Sequence, residues 1–370
     1  MMKKSLIALA AATVAGAAFA QSAVTITGTV DLGYAIYDVS GGTPTEQAHD
    51  QQRVSQNGSA TTALFIRGSE DIGGGLRGIF QIETNPDFVT GGTLSTGGNN
   101  FLGLTGNFGE VRLGRLNSAF LQNWLIVNPL GTNLGSGWGA AGVVTRYVGV
   151  ATPTRFNNAI EYQSPVFNGI RVRLMYVPED TTPTTTVRPG VIDAGLVFAQ
   201  GPITAMLSLQ QTEASRNLAG AASLIGAGPA EAGNTGVEST LWMLGARYTM
   251  GATAFSAGYL QEQIDVSGAE RADITGWTLG VRHTMGPWAF LAAYTKTEDD
   301  ATNRVLTGPA ALIHSAAGVA TVGTGADRSV LGLGVDYSFS KRTALYGRFE
   351  NRDLGLAEVQ TIAVGVRHTF

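Results

Sequence analysis

The sequence of 370 residues contains no cysteine, and only 14% of its residues are charged. Without cysteine, no disulfide framework can hold the fold. The charged fraction is low for a soluble protein, in which roughly a quarter of the residues are charged. After the N-terminus, no apolar run approaches the ~20 residues that a membrane-spanning helix needs. These absences exclude a disulfide-rich secreted domain and a helical membrane protein.

The first twenty residues form a separate unit. Two lysines precede an apolar run from Leu6 to Ala18, and Ala18-Phe19-Ala20 fits the cleavage pattern of a secretory signal peptide. We expect residues 1–20 to be removed after export. An exported chain with 50 glycines and no disulfide needs another source of stability, and a closed, hydrogen-bonded β-barrel would supply it.

The remaining residues, 21–370, are predicted to form one domain. The C-terminal segment Glu358–Phe370 alternates between apolar residues and small or polar ones, which predicts a β-strand because successive side chains point to opposite faces. Similar segments of about ten residues recur along the chain, the length of a tilted strand across a bilayer. Tight turns alternate with long polar connections such as Asp38–Ala60, Pro86–Gly97 and Asn117–Pro153. We therefore predict an all-β fold, a transmembrane antiparallel β-barrel of about 16 strands.

Arginine dominates the faces that would line the lumen of such a barrel. The basic side chains on these faces are Arg67, Arg77, Arg155, Arg171, Arg173, Arg247, Arg282, Arg348 and Arg367, and the acidic ones are Asp31, Glu83, Glu161, Asp336 and Glu350. The long segment 116–160 adds Arg146 and contains no carboxylate. Fixed charges of one sign in a narrow channel concentrate counter-ions. We therefore predict a mild preference for anions, although the whole chain has a formal net charge of −4. A lumen arginine can instead pair with a wall carboxylate, and Arg348 is expected to pair with Glu350.

Four segments and the C-terminus carry a resemblance to a known family. They are SAVTITGTVDLGY (Ser22–Tyr34), IRGSEDIGGGLRGIFQIET (Ile66–Thr84), FLGLTGNFGEVRLGR (Phe101–Arg115), RFNNAIEYQSPVFNGI (Arg155–Ile170) and the closing VGVRHTF. The sequence resembles the trimeric general porins of the Gram-negative outer membrane, in the branch found in β-proteobacteria and neisseriae. The resemblance implies a sixteen-stranded homotrimer in which the third outer loop folds into the lumen and narrows the pore.

The same resemblance implies that Arg115 and Arg155 are constriction residues. The family usually has an arginine where this chain has Ala63, and another near Gly98, so the preference for anions is expected to be mild. Strict alternation would place Arg115 on the outward face with Leu113, and a lumen position requires a β-bulge. For Arg155 alternation agrees with a lumen position if Phe156 faces outward.

The expected function is passive diffusion of small hydrophilic solutes and ions through an integral barrel in contact with outer-membrane lipid. We expect the barrel-assembly machinery to receive the chain through the strand that ends at Phe370. Two alternatives remain open: a channel that prefers an anion or a small carboxylate, and an adhesin or structural anchor with a closed lumen. A planar-bilayer current would separate the last of these.

Aromatic residues such as Tyr37 and Phe156 are predicted to belong to girdles at the membrane interfaces. For Trp124 and Trp138, in the third outer loop, a carbohydrate-binding surface is the alternative. The four histidines have no metal-ligand spacing, and neither a phosphate-binding loop nor a nucleophile elbow occurs. We therefore expect no enzymatic activity, no cofactor, no metal and no nucleic-acid partner.

Overall fold

The computed structural model describes residues 23–41, 51–92, 94, 96–138, 155–179, 190–214, 237–266, 268–299, 327–353 and 357–370. Within these ranges no helix is both long and apolar enough to cross a membrane. The described residues form seventeen strands and one helix: β1 (Ala23–Gly41), β2 (Gln51–Gln56), β3 (Ala63–Gly73), β4 (Leu76–Thr84), β5 (Asn100–Gly106), β6 (Gly109–Asn117), α1 (Ala119–Val127), β7 (Arg155–Gln163), β8 (Ile170–Val177), β9 (Gly190–Gln200), β10 (Ile203–Ala214), β11 (Val237–Met250), β12 (Thr253–Val266), β13 (Ala269–Met285), β14 (Trp288–Asp299), β15 (Arg328–Ser338), β16 (Thr343–Asp353) and β17 (Ala357–Thr369).

The strands form one closed antiparallel sheet. The first strand, β1, pairs with β17 from Thr29–Thr369 to Gly41–Ala357, which closes the ring. On its other side, β1 pairs with β3 over its first part, from Ala23 to Thr29, and with β2 over a later part, from Leu32 to Tyr37. β2 and β3 therefore share one place in the ring beside β1, and the barrel has sixteen strand positions, as predicted.

The segment Gln51–Gln56 was wrongly predicted to belong to a long connection. It is strand β2, which pairs with β1 from Leu32–Gln56 to Tyr37–Gln51. Its sequence, QQRVSQ, contains one apolar residue, Val54. Alternation of apolar and polar residues could not reveal it, because the strand is specified by pairing with its neighbour.

The outer surface of the barrel is apolar across the middle of the strands. On β17, Ile362, Val364 and Val366 are 56%, 56% and 47% exposed, whereas the alternate residues Thr361 and Ala363 are buried on the inside. An exposed apolar band of this extent is stable where lipid covers it, and a closed sheet leaves no unpaired backbone edge in that lipid. The pattern therefore fits a barrel that spans a membrane.

Part of the inner wall is also apolar. The helix α1 lies against it, and its side chains join inward-facing residues of β10, β11, β12 and β15 in one buried cluster: Phe120, Trp124, Val127, Met206, Leu241, Met243, Leu260 and Val330. Burial of one large apolar side chain stabilises a fold by about 1.5–3 kcal/mol. The barrel thus holds α1 by a small hydrophobic core inside its own lumen.

Glycines on the inner wall allow this close approach. They lie on β9, β11, β13 and β15 along the path of the chain from α1 onward: Gly195, Gly245, Gly280 and Gly332. A Cβ at Gly280 would lie 2.4 Å from Cδ of Pro129, and one at Gly332 would lie 2.0 Å from the carbonyl oxygen of Gly135. Any side chain at these positions would push α1 and the residues that follow it away from the wall.

Two aromatic residues predicted for the interfacial girdles face inward instead. Tyr37 is 5% exposed and lies on the inner face of β1 with Ala35 and Val39. Phe156 is 7% exposed and packs on Leu116 inside the barrel. Outward aromatic pairs do occur, such as those of Trp242 with Tyr259, Trp277 with Tyr294 and Trp288 with Tyr337.

Candidate functional site

A cavity of about 400 Å³ lies inside the barrel, between the chain that follows α1 and the opposite wall. Arg115, Arg155 and Arg352 line it from the wall, and Asn133 and Trp138 line it from the inner segment. Among the described residues, no aspartate or glutamate lines this cavity. The cavity therefore lies in the passage through the barrel, with positively charged side chains on the wall and an uncharged segment on the other side.

The inner segment, residues 118–138, is fixed to the wall at several points. Ser118 caps α1, with its Oγ accepting a 3.0 Å hydrogen bond from the Leu121 backbone N–H, as serine commonly does at a helix N-terminus. At the C-terminal end of α1, the Ser256 hydroxyl on β12 donates to the carbonyl oxygen of Val127 at 2.6 Å. The backbone N–H of Gly135 donates to the Glu350 carboxylate on β16. The segment thus crosses the inside of the barrel from β9 to β16.

Arg146, which was predicted to contribute to the same segment, lies outside the described residues.

Arg115 reaches the cavity because the pairing of β6 with β7 is irregular at this point. The register shifts between Gly114 and Leu116, with Gly114 opposite Ala159 and Leu116 opposite Phe156. Gly114 adopts a φ of 150°. A bulge of this kind breaks the strict alternation that would have turned Arg115 toward lipid.

The same irregularity explains why Phe156 was wrongly predicted to face outward. Asn158 adopts a positive φ of 56° in the bulge, so Phe156 and Ala159 point to the same, inner side. Nothing in the local alternation indicates this extra residue. The pair Asn157-Asn158 was the available signal, because asparagine tolerates positive φ better than most residues.

The guanidinium groups of Arg115 and Arg155 differ in their partners. Arg115 donates from Nε to the carbonyl oxygen of Gly97 at 2.9 Å and from Nη1 to Oδ1 of Asn157 at 2.6 Å. Arg155 Nη2 lies 3.5 Å from Oε1 of Glu83, which is 5% exposed. Within the described residues Arg115 makes no ion pair, although the negative charge of Glu83 also acts on its guanidinium group.

Glu161 is paired with two arginines instead of facing the passage. It is 2% exposed, with Arg112 Nη1 3.5 Å from Oε1 and Arg173 Nη1 3.7 Å from Oε2. Arg112 was absent from the predicted set, although its position between the outward residues Val111 and Leu113 would have placed it in the lumen. The charge of Glu161 is thus compensated inside the wall.

Arg171 and Arg173 line a second cavity of about 370 Å³ against Gln122 and Asn123 of α1. Arg67 and Arg77 lie further toward the tight turns. Their guanidinium groups donate to Oε1 of Gln81 at 2.7 Å and to Oγ of Ser69 at 2.5 Å. The predicted lumen residues within the described ranges are therefore spread along the passage, and of these Arg115 and Arg155 share the first cavity.

For two charged groups of the lumen, the structure differs from the prediction. Asp31 is 0% exposed, so its carboxylate is enclosed by protein. Arg348 pairs with Asp336, at 2.7 Å, and not with Glu350 as predicted, because Arg352 occupies Glu350. Arg352, which also lines the first cavity, was missed; its place two residues after Glu350 on the inner face of β16 was the available signal.

The two tryptophans of the inner segment serve its packing. Trp124 is fully buried and donates from Nε1 to the carbonyl oxygen of Gly131 at 2.8 Å. Trp138 stacks on Phe120 with ring centroids 5.5 Å apart. Trp124 therefore has no face free for a sugar. In the described part of the chain, no group of acidic, histidine or cysteine side chains has the arrangement of a metal site.

Comparisons with known proteins agree with this geometry. A family model described as Gram-negative porin matches residues 5–354. Outer membrane porin protein 32 of Delftia acidovorans is 30% identical, and the alignment covers 100% of both chains. The structure of an anion-selective porin from Comamonas acidovorans superposes with a TM-score of 0.74 at 21% identity, covering 95% of this chain and 100% of that one.

A trimer form of OmpT from Vibrio cholerae shares the fold, with a TM-score of 0.64 at 12% identity, and covers 94% of this chain and 99% of that one. The family match spans most of the sequence, and the relative from Delftia aligns over its whole length. Together with the closed barrel, these findings show that the chain belongs to the Gram-negative porin family, whose members are channel-forming barrels of the outer membrane.

Proposed function

We propose that this porin is a passive general-diffusion channel for small hydrophilic solutes and ions, with a mild preference for anions. The observation that carries the proposal is the charge of the first cavity. Arg115, Arg155 and Arg352 line it, and the described residues place no carboxylate on its surface. Arg115 and Arg155 are proposed as the constriction residues.

The surrounding charges explain why the preference is mild. Arg155 lies near Glu83, and Arg352 is paired with Glu350, so two of the three arginines are partly neutralised. Two unit charges 4 Å apart interact by about 4 kcal/mol at an effective dielectric constant of 20. Among the described residues Arg115 makes no ion pair, so the positive charge of the cavity is only partly neutralised. The description of the Comamonas acidovorans porin as anion-selective supports the same sign.

Planar-bilayer recordings test the selectivity. We expect a stable current, and a reversal potential of the anion-selective sign across a gradient of potassium chloride. A reversal potential of the opposite sign would overturn the anion preference. The lack of any current would favour the alternative of an adhesin or anchor with a closed lumen.

Liposome swelling tests whether diffusion is general. A swelling rate that falls smoothly with solute size supports general diffusion. One solute that enters much faster than others of its size would instead favour the channel with a preferred anion or small carboxylate. Neutral sugars and carboxylates of matched size provide the comparison.

We also propose that the mature protein comprises residues 21–370, assembles as a homotrimer and has no catalytic activity. The family membership and the trimer form of OmpT support the assembly. N-terminal sequencing should begin at Gln21 after removal of residues 1–20, and the molecular mass in detergent should be that of three chains. A monomeric mass would refute the trimer without affecting the channel.

Insertion by the barrel-assembly machinery through the last strand is part of the same proposal. Phe370 extends the pairing of β17 with β1 by two backbone hydrogen bonds of 3.0 Å with Gly28. Its side chain is 42% exposed. Replacement of Phe370 by alanine should lower the amount of barrel in the outer membrane, whereas the refolded protein should conduct normally.

A further inference from the structure

Between β2 and β3, a segment of the barrel wall leaves the sheet. The pairing of β1 with β2 ends at Leu32–Gln56, and its pairing with β3 begins at Thr29–Ala63. Residues 57–62 thus stand opposite only Val30 and Asp31. An ordinary β-bulge adds one residue to a strand, so this segment, here called the inner bulge, is much larger.

Asp31 holds the inner bulge. Its Oδ2 accepts hydrogen bonds from the backbone N–H groups of Ser59 and Ala60, at 2.7 and 2.6 Å, and its Oδ1 accepts one of 2.6 Å from the Tyr346 hydroxyl. Hydrogen bonds to an ionised acceptor are stronger than those between neutral groups. Because Asp31 is 0% exposed, its carboxylate serves these partners and does not face passing ions.

The inner bulge projects toward the inner segment. The Ser59 hydroxyl accepts hydrogen bonds from Arg348 at 2.8 Å and from Arg367 at 2.9 Å. The carbonyl oxygen of Ser59 accepts one of 3.2 Å from Nδ2 of Asn133. The bulge therefore connects the wall with the inner segment, and its residues Asn57, Gly58 and Thr61 line the first cavity.

We propose that the inner bulge is a second constriction element, which sets the width of the pore together with the inner segment, and that Asp31 is its positioning residue. The inference rests on the proposed channel function. In this arrangement Asp31 controls the size of the solutes that pass, and does so by geometry and not by its charge.

Neutral sugars of graded size separate geometry from charge. The Asp31→Ala variant lacks the three hydrogen bonds that the carboxylate accepts from Ser59, Ala60 and Tyr346. Liposomes that contain this variant should therefore admit larger sugars than liposomes that contain the wild type. With Asp31→Asn, the amide oxygen can still accept from Ser59 and Ala60, and the size limit should stay close to that of the wild type. Equal size limits for both variants and the wild type would overturn the proposal.

Asp71→Ala is the matched control. Asp71 also accepts a backbone hydrogen bond, from Gly73 at 2.8 Å, but it lies at the exposed end of β3, next to the tight turn that leads to β4. Its removal should leave the size limit unchanged. If the control variant and Asp31→Ala widen the limit alike, the effect is one of general loosening and the proposal fails.

Cysteine labelling provides a second measurement that does not depend on the folding of Asp31→Ala. The chain has no cysteine, so a charged methanethiosulfonate reagent modifies only an introduced one. Thr61 is exposed and lines the cavity, whereas Thr90 is exposed in the connection between β4 and β5. Labelled Thr61→Cys should lose single-channel conductance, and labelled Thr90→Cys should not.

The outcomes distinguish the two proposals. A wild-type protein without current refutes the channel function. A conducting wild type, with unchanged conductance in labelled Thr61→Cys, refutes the role of the inner bulge and leaves the channel function intact.

Discussion

The carboxylate of Asp193 on β9 accepts a 2.6 Å hydrogen bond from the backbone N–H of Ala119, the first residue of α1. Asp193 is 1% exposed and also accepts from Nε2 of Gln210 at 3.1 Å. The first N–H groups of a helix lack partners within it, and negative charge is favoured at that end. A residue of the barrel wall therefore fixes the place where the inner helix begins.

Removal of this acceptor should loosen α1. With Asp193→Ala, the buried N–H of Ala119 loses its partner, which costs about 1–3 kcal/mol. We expect a folded barrel with more frequent current fluctuations in planar bilayers. Asp193→Asn retains an acceptor oxygen and should fluctuate less. Recordings from Asp193→Ala as quiet as those of the wild type would show that the apolar contacts of α1 suffice.

A methyl group at Gly332 should displace the inner segment without harming the barrel. A Cβ there would lie 2.0 Å from the carbonyl oxygen of Gly135, so the segment must move into the passage. Gly332→Ala should change the single-channel conductance while the protein keeps the heat-sensitive electrophoretic mobility of a folded barrel. In the control, Gly78→Ala, the nearest atom to the new Cβ is Cδ1 of Ile72 at 3.5 Å, and conductance should be unchanged.

The two arginines proposed for the constriction should contribute unequally to selectivity. Arg115→Gln removes a positive charge, whereas Arg155→Gln also leaves the carboxylate of Glu83 without its neighbour at 3.5 Å. The reversal potential should therefore shift further toward cation selectivity in Arg155→Gln than in Arg115→Gln. Arg115→Lys, which keeps the charge, should resemble the wild type. Equal shifts for the two glutamine variants would mean that Glu83 does not influence the passage.

The apolar cluster inside the barrel should carry a measurable part of the stability. Trp124 is 0% exposed, and truncation of a buried tryptophan to alanine typically costs 3–5 kcal/mol. Trp124→Ala should lower the free energy of unfolding, measured by urea denaturation in lipid vesicles, by about that amount. Leu125, on the same helix, is 48% exposed, so Leu125→Ala should have a small effect. A similar loss in both variants would argue against a specific core beneath α1.

The barrel itself could be predicted because its signal is local. In Glu358–Phe370, alternation assigns Ile362, Val364 and Val366 to one face, and the structure places these residues outward on β17. Alternation failed to predict the structure where backbone pairing with a neighbouring strand, and not the burial of apolar side chains, specifies the local fold. Strand β2 is polar, and the bulge that turns Arg115 and Phe156 inward depends on the match between β6 and β7.

By itself, the sequence determined that ribbons with one apolar and one polar face would close into a barrel in lipid, because side chains alternate every residue and unpaired backbone is costly there. Tertiary structure alone decided which charges face the passage. Asp31 and Tyr346, 315 positions apart, meet only because closure of the ring brings β1 and β16 near each other. That contact helps to enclose the carboxylate of Asp31, which alternation along the strand could only place on the lumen side.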